Sequence, residues 1–196
     1  MKRNTNSISK TRRLVLIGAL GGISIFLGIS GWGLIRLPIF SLTIMHIPVI
    51  IGAILEGPVV GIAVGLIFGL FSMYQNITAP GLTSFIFWNP IIALIPRILI
   101  GIVAYYSFKL LKSKIKSTGV CAGIASILAT LTNTIGVLGL TYILYLDKYA
   151  QAREISRDAV AGTLFTVGLT NGIPEAIVSA LITIPIVVTM LKMKRN

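Results

Sequence analysis

The chain has 196 residues, of which 55% are hydrophobic and 11% charged, and its mean hydropathy is +0.94. This composition is too apolar for a soluble domain and predicts an integral membrane protein. The formal net charge is +12, but the basic residues stand in short flanks between apolar runs, which argues against a nucleic-acid-binding face. The single cysteine, Cys121, excludes an intrachain disulfide, and we predict neither a metal site nor a cofactor.

The first predicted helix, 12–30, begins in a basic flank, and its apolar run from Leu14 to about Ile29 is long enough to cross a bilayer. Gly18 and Gly22 stand four residues apart on it and form a smooth strip, which favours close approach of another helix, either within the bundle or from a partner. The run lacks a small-x-small cleavage site, so we expect it to be retained rather than removed as a signal peptide. The connection 31–43 carries Trp32, Arg36 and Pro38, which suit an interface or a lid over a site.

Two further helices, 45–56 and 58–75, are predicted as a hairpin because Gly57-Pro58 is a turn signal after a charged residue. The first of them is short, which leaves room for a loop to dip into the bundle. His46 is the only histidine, so it is read as a residue of a ligand pocket or as an interfacial side chain. A glycine at every fourth position of 61–69 predicts a close helix contact.

The stretch 75–87 is polar and contains Gly and Pro, and we predict a second loop on the same side as 31–43. Helix 88–110 then begins with Trp88 and Asn89 and carries Arg97 deep in its apolar run. Pro90 and Pro96 each remove a backbone donor and leave carbonyl groups that a cavity or neighbouring groups must satisfy.

The last two predicted helices are 118–146, with Asn133 at mid-depth, and 161–191, with Asn171 and Glu175. Between them, 147–158 mixes charges of both signs and is predicted to be a solvated outer segment. A buried carboxylate in a bilayer needs protein or water around it, and Arg97 is the only other charge deep in an apolar run. We therefore predict a polar pocket inside the bundle, built by the helices that carry Arg97 and Glu175.

Charge counting orients these elements. Twelve of the 17 Lys and Arg residues flank one side and four the other, so the positive-inside rule predicts both termini in the cytoplasm. The fold predicted is all-α: six transmembrane helices in one compact bundle, forming a single domain over 1–196 of a multi-pass cell-membrane protein. A rise of about 1.5 Å per residue from the cytoplasmic flanks places four residues in the outer half of a core about 30 Å thick, namely Arg97, Asn133, Asn171 and Glu175. The pocket is then open to the outside or covered by the two outer loops.

Several sequence stretches, taken in chain order, resemble those of one protein family. These are the small-residue strip of the first helix, "TIMHIPVIIGAILEGPVVGIAVGLIFG", "PRILIG", "TNT" and "TNGIPEAIVSALITIPIV". Together they are similar to the substrate-binding S components of energy-coupling factor (ECF) vitamin importers of the prokaryotic plasma membrane. The resemblance is greatest to the pantothenate-type members, although riboflavin, folate and pyridoxine members share much of the pattern.

The resemblance implies a vitamin ligand bound from outside and delivered inward with a coupling transmembrane protein and two cytoplasmic ATPases. The family's first helix commonly carries Ala-x-x-x-Ala as its docking motif, and Gly18 and Gly22 occupy those places here. The candidate binding residues are predicted in the bundle or beside its outer loops, and they are His46, Trp88, Asn89, Arg97, Asn133, Asn171 and Glu175. No phosphate-binding loop of the Gly-x-x-x-x-Gly-Lys-Ser/Thr type is present, so energy must come from partners if transport is uphill.

Two other classes stay open on the sequence alone. A membrane-embedded enzyme usually needs clustered carboxylates or histidines, whereas this chain has 5 acidic residues, of which only Glu175 is deep, and 1 histidine. We therefore do not predict an enzyme. A self-sufficient carrier that works as a dimer is the second alternative, and transport by the purified protein alone in liposomes would favour it.

Overall fold

The computed structural model describes residues 5–36 and 41–195, so Pro38 of the predicted lid lies outside the described residues. The elements in chain order are α1 (Thr5–Ser30), β1 (Leu34–Arg36), β2 (Ser41–Thr43), α2 (Ile47–Glu56), α3 (Pro58–Thr78), a 3₁₀ turn (Ser84–Trp88), α4 (Pro90–Lys114), α5 (Thr118–Arg153) and α6 (Ala159–Arg195). The predicted helical bundle is confirmed. The additions among the described residues are the 3₁₀ turn and the short antiparallel pair β1–β2, in which Leu34 pairs with Thr43.

Within the described ranges, five of the six helices are long and apolar enough to cross a membrane. The sixth, α2, has 10 residues and is therefore only about 15 Å long, half of a hydrocarbon core of about 30 Å. The prediction of six spanning helices is thus refined to five long helices and one half-length helix.

The short helix α2 forms the axis of the bundle. It contacts α1, α3, α4, α5 and α6, and its residues from Ile47 to Ile54 are all buried. A helix that is apolar on every side is stable only when protein surrounds it, which is the position α2 has here. Because α2 fills only half of the axis, the other half is open to loops and to a cavity.

Helices α3 and α4 cross with almost no side chain between them. A Cβ added at Gly61 would lie 3.0 Å from the Cα of Gly101, and one added at Gly69 would lie 2.7 Å from the carbonyl oxygen of Ala93. At Gly65 it would overlap the carbonyl oxygen of Arg97. The close contact predicted from the spacing of these glycines is confirmed, and it fixes the backbone of Arg97 against α3.

One end of the bundle is closed by ion pairs. Arg12 of α1 and Lys194 of α6 both contact one carboxylate oxygen of Glu56, at 2.8 and 2.7 Å. The amine of Lys194 also donates to the carbonyl oxygen of Leu55, at 2.9 Å. The beginning of α1 and the end of α6 therefore meet at the turn between α2 and α3, and we call this the Glu56 end.

At the opposite end, α5 is longer than predicted. It runs to Arg153, with one non-helical residue at Tyr145 (φ −134°, ψ 21°). The helix predicted to end at 146 therefore continues through most of the stretch 147–158, which was predicted as a solvated outer segment. Tyr149 and Ala150 pack in an apolar cluster with Ile86 and Val160, which explains why charged residues around them did not end the helix.

Candidate functional site

A cavity of about 520 Å³ lies at the end of the bundle opposite Glu56, above the N-terminus of α2. This volume is within the range of small-molecule sites. Its wall combines amide, hydroxyl, aromatic and cationic side chains, and the lining residues are Thr43, Met45, Phe68, Ser72, Gln75, Asn76, Ala79, Pro80, Gly81, Ser84, Phe87 and Arg97.

Arg97 is the cation of this cavity and is 5% exposed. Its guanidinium carbon lies 5.4 Å from the ring centroid of Phe68 and 5.1 Å from that of Phe87. Each aromatic contact stabilises a desolvated guanidinium by about 0.5–2 kcal/mol, which offsets part of the cost of burial. The Nε atom has no hydrogen-bond partner among the described residues. The cavity therefore contains a buried cation whose Nε–H group is available to donate a hydrogen bond to a ligand.

The backbone of α4 explains how Arg97 is oriented. Pro96 has no N–H, so the carbonyl group of Ile92, four residues earlier, loses its helical partner. Arg97 Nη1 donates to this carbonyl oxygen at 3.0 Å. The proline thus creates the acceptor that fixes the arginine side chain, which confirms the expectation that a neighbouring group satisfies the freed carbonyl.

The polar wall comes from the last turns of α3. Ser72, Gln75 and Asn76 lie on the face of that helix towards the cavity. Asn76 also anchors the segment after α3, because its side-chain oxygen accepts from Ser84 Oγ at 2.7 Å and its carbonyl oxygen accepts from Trp88 Nε1 at 3.0 Å. The predicted second loop therefore borders the cavity and is fixed to α3.

The sequence left open whether Glu175 pairs with Arg97, and the structure gives Glu175 another neighbour. Glu175 is 8% exposed, and its Oε1 accepts from the backbone N–H of Thr43 at 2.7 Å. No ion pair joins it to Arg97, although both side chains lie in the described part of the chain. Glu175 thus holds the end of β2 against α6, while Arg97 keeps its charge free of a direct carboxylate partner.

Two other predicted residues lie deeper in the bundle. His46 is fully buried, and its Nε2 is 2.9 Å from Thr130 Oγ1, while its Nδ1 has no partner among the described residues. Asn133 has a buried side-chain oxygen that likewise lacks a partner within the described ranges. Neither residue lines the cavity, although His46 directly follows the lining residue Met45.

The remaining predicted binding residues are also outside the lining set. Asn89 caps α4, because its Oδ1 accepts from the backbone N–H of Ile91 at 2.9 Å. Trp88 is half exposed and donates its indole N–H to the backbone carbonyl oxygen of Asn76. Asn171 is partly buried on α6, one helical turn before Glu175. In the described residues, no group of three His, Cys, Asp or Glu side chains is arranged to hold a metal ion.

Comparison with known proteins decides what class of site this is. The sequence profile of the family described as "ECF transporter, substrate-specific component" matches residues 12–187. The chain belongs to this family. It is therefore a component of a membrane transporter and not an enzyme. As an S component it is also 30% identical over 168 residues to the pantothenic acid transporter PanT of Lactococcus lactis, with 79% of this chain and 80% of that protein covered.

A second relative is the pantothenate transporter PanT of Leuconostoc mesenteroides. It is 35% identical over 140 residues, which cover 69% of this S component and 68% of the relative. Both likenesses extend over most of the chain. The family resemblance predicted from the sequence motifs is confirmed.

The cavity-lining residues of this S component that sequence reasoning missed are chiefly Ser72, Gln75 and Asn76. Ser72 lay inside the predicted helix 58–75 without an assigned role, and Gln75 and Asn76 were placed at the start of a loop, whereas α3 continues to Thr78. Their spacing was the available signal. Polar residues three and four positions apart, at the end of an otherwise apolar helix, share one face, and that face must meet protein or water.

Proposed function

We propose that this chain is the pantothenate-binding S component of an ECF importer in the cell membrane. It captures the vitamin in the cavity at the Arg97 end and delivers it inward together with a coupling transmembrane protein and two ATPases. The observation that carries the proposal is the buried Arg97, which stands in the wall of a ligand-sized cavity and has no carboxylate of the described residues within ion-pair distance. Pantothenate carries one carboxylate, and a guanidinium is the best single partner for it.

The rest of the cavity supports the same ligand. Pantothenate has hydroxyl and amide groups, for which Ser72, Gln75 and Asn76 offer donors and acceptors. Its geminal methyl groups need apolar surface, which Met45 and the two phenylalanines provide. The names of the two relatives agree with this chemistry.

The orientation proposed for the protein has both termini in the cytoplasm. The Glu56 end then faces inward, together with the lysines between α4 and α5, as the positive-inside rule requires. The cavity opens at the outer end, where Thr43 of β2 and the segment after α3 border it. Glu175, His46, Asn133 and Asn171 act from beneath and beside the cavity, and Asn89 and Trp88 stabilise its rim.

Calorimetric titration tests the ligand directly. We expect the purified protein to bind pantothenate with one site, and to bind riboflavin, folate and pyridoxine at least about 100-fold more weakly, because their shapes and charges do not match a small cavity with one cation. Native mass spectrometry of the freshly purified protein provides an independent reading of any vitamin retained. Tighter binding of one of the other three vitamins would overturn the proposal.

Docking of the coupling protein is proposed to use Gly18 and Gly22. Both are exposed, and a Cβ added at either would meet nothing within 4 Å. We expect replacement of both by Leu to leave the thermal melt and pantothenate binding unchanged and to abolish co-purification with the coupling protein, because the added side chains keep helices apart.

Gly21 provides the matched control on the same helix. A Cβ there would lie 2.7 Å from the end of the Ile67 side chain, inside the bundle. Gly21→Leu is therefore expected to lower the melting temperature and to weaken vitamin binding. If the Gly18/Gly22 double variant behaves like Gly21→Leu, the strip packs within the bundle and the docking role is wrong.

A further inference from the structure

A second cavity lies on the outside of the bundle, between α5 and α6. It is an open groove of about 480 Å³ with an almost wholly apolar wall, and its residues include Leu131, Leu138 and Tyr142 of α5 and Ala161, Phe165 and Ile173 of α6. Phe165 is 68% exposed. None of the groove residues lines the cavity that holds Arg97, so this is a separate feature of the molecule.

The length of the groove corresponds to one leaflet of a bilayer. Its residues on α5 run from Leu131 to Tyr142 and those on α6 from Ala161 to Ile173, which is roughly 17 Å along either helix. This is about half of a hydrocarbon core of about 30 Å. One end of the groove lies at Tyr142 and at Ala161, two residues after α6 begins, and the other end lies at Leu131 and Ile173, towards the Glu56 end. An extended hydrocarbon chain anchored at the surface has this reach.

The surface end of the groove is polar. A third cavity shares Tyr142 with the groove and is lined by Lys148, Arg157, Asp147 and Asn89. Arg157 Nε lies 3.2 Å from an oxygen of Asp147, so one of the two cations is partly neutralised and the lining keeps a net charge of +1. Seven consecutive residues, 142–148, line this cavity around the break in α5 at Tyr145, where a helix exposes backbone polar groups.

From this arrangement we infer that the α5–α6 groove is a binding site for one phospholipid of the leaflet on the Arg97 side. One acyl chain occupies the groove, and the phosphate lies against Lys148 and Arg157. The site depends on the membrane location of the chain and not on the identity of the vitamin. Charge complementarity favours an anionic headgroup, because the lining is cationic by one unit.

A transmembrane helix of a partner protein fits the groove less well than a lipid does. A partner helix that crosses the membrane would pack along about 30 Å, whereas this groove is only roughly 17 Å long. Small residues keep the groove open: a Cβ added at Gly139 would meet nothing within 4 Å. A larger side chain at this position therefore fills space that the acyl chain would occupy, without moving either helix.

Native mass spectrometry with added lipid tests the chain-binding part. Delipidated protein in detergent is titrated with phosphatidylglycerol, and we expect the wild type to retain one molecule. Gly139→Leu should weaken retention at least about tenfold, the loss expected if about two methylenes leave the groove. Gly162→Leu is the matched control, since its Cβ also meets nothing and Gly162 does not line the groove. Equal losses in both variants, or no retained lipid in the wild type, would overturn the site.

The headgroup is tested in the same experiment. Lys148→Gln combined with Arg157→Gln should reduce the preference for phosphatidylglycerol over phosphatidylcholine to about one, whereas Asp147→Asn should increase it, because the neutralising charge is removed. Lys112→Gln, an exposed lysine near the far end of the bundle, should change nothing. Glycerol 3-phosphate alone should not bind. Equal affinity of the wild type for both lipids would overturn the phosphate contact, and a co-purifying membrane protein in place of lipid would overturn the occupant.

Discussion

Arg97→Gln should weaken pantothenate binding by about 2–4 kcal/mol, or roughly 30- to 1,000-fold in Kd, the usual result of removing one partner from a desolvated charge pair. The vitamin's carboxylate would then enter a cavity without its cation. Glutamine still has an N–H donor for the carbonyl group that Pro96 leaves free, so the helix itself should persist.

The comparison that identifies the contact uses two ligands. A primary amide of pantothenate is neutral, so its affinity should fall much less in Arg97→Gln than that of the acid. Arg153→Gln is the matched variant, because it removes the same chemical group from an exposed position outside the cavity. Calorimetry gives the affinities, and a thermal melt without ligand checks the fold. Equal losses for acid and amide would contradict a carboxylate contact.

Among substitutions that add one methyl group to α3, Gly65→Ala should lower the stability of the protein most. The new Cβ would overlap the carbonyl oxygen of Arg97 and lie 3.4 Å from the backbone nitrogen of Ile98. Backbone atoms cannot rotate away as a side chain does, so α3 and α4 must separate. Overpacking of this kind costs about 1–3 kcal/mol, which corresponds to a fall of about 3–10 °C in melting temperature.

The same substitution should weaken vitamin binding, since it displaces the backbone of Arg97 relative to Phe68, one turn further along α3. Gly18→Ala is the control: it adds the same methyl group to a helix where nothing lies within 4 Å, and it should change stability by at most about 0.5–1 kcal/mol, in the stabilising direction. Thermal melts and pantothenate titrations of the two variants measure these differences in stability and in binding. A Gly65→Ala protein as stable as Gly18→Ala would show that the α3–α4 contact is looser than described.

The fold was largely predictable because apolar runs, glycine spacing and basic flanks act locally or through the bilayer. Arg97 was found for the same reason, as a lone cation deep in an apolar run. The prediction could not find the neighbour of Glu175, because Thr43 is 132 residues away and reaches it only through the docking of β2. The depth count placed Asn133 and Asn171 at the level of the predicted pocket, but it could not give the rotation of each helix about its own axis. That rotation decides which side chains face the cavity.

The capping role of Asn89 was readable from the chain. An asparagine followed by proline matches the preferred residues at the last position before a helix and at its first position, and the structure has both there. Ser72, Gln75 and Asn76 were missed for a different reason. The polarity of Gln75 and Asn76 was taken as the end of α3, whereas together with Ser72 it marks the face of a continuing helix that borders the cavity.

The half-length of α2 divides the protein into two regions with different tolerance for sequence change. In one half, α2 occupies the axis and touches all five other helices, so a change there alters many contacts at once. In the other half the axis is a cavity bordered by loop residues and by single faces of α3 and α4. Redesign towards another vitamin should therefore succeed by exchanging residues of the cavity half alone. The proposed docking residues Gly18 and Gly22 would then stay unchanged. Variants redesigned for different vitamins should therefore still bind the same coupling protein.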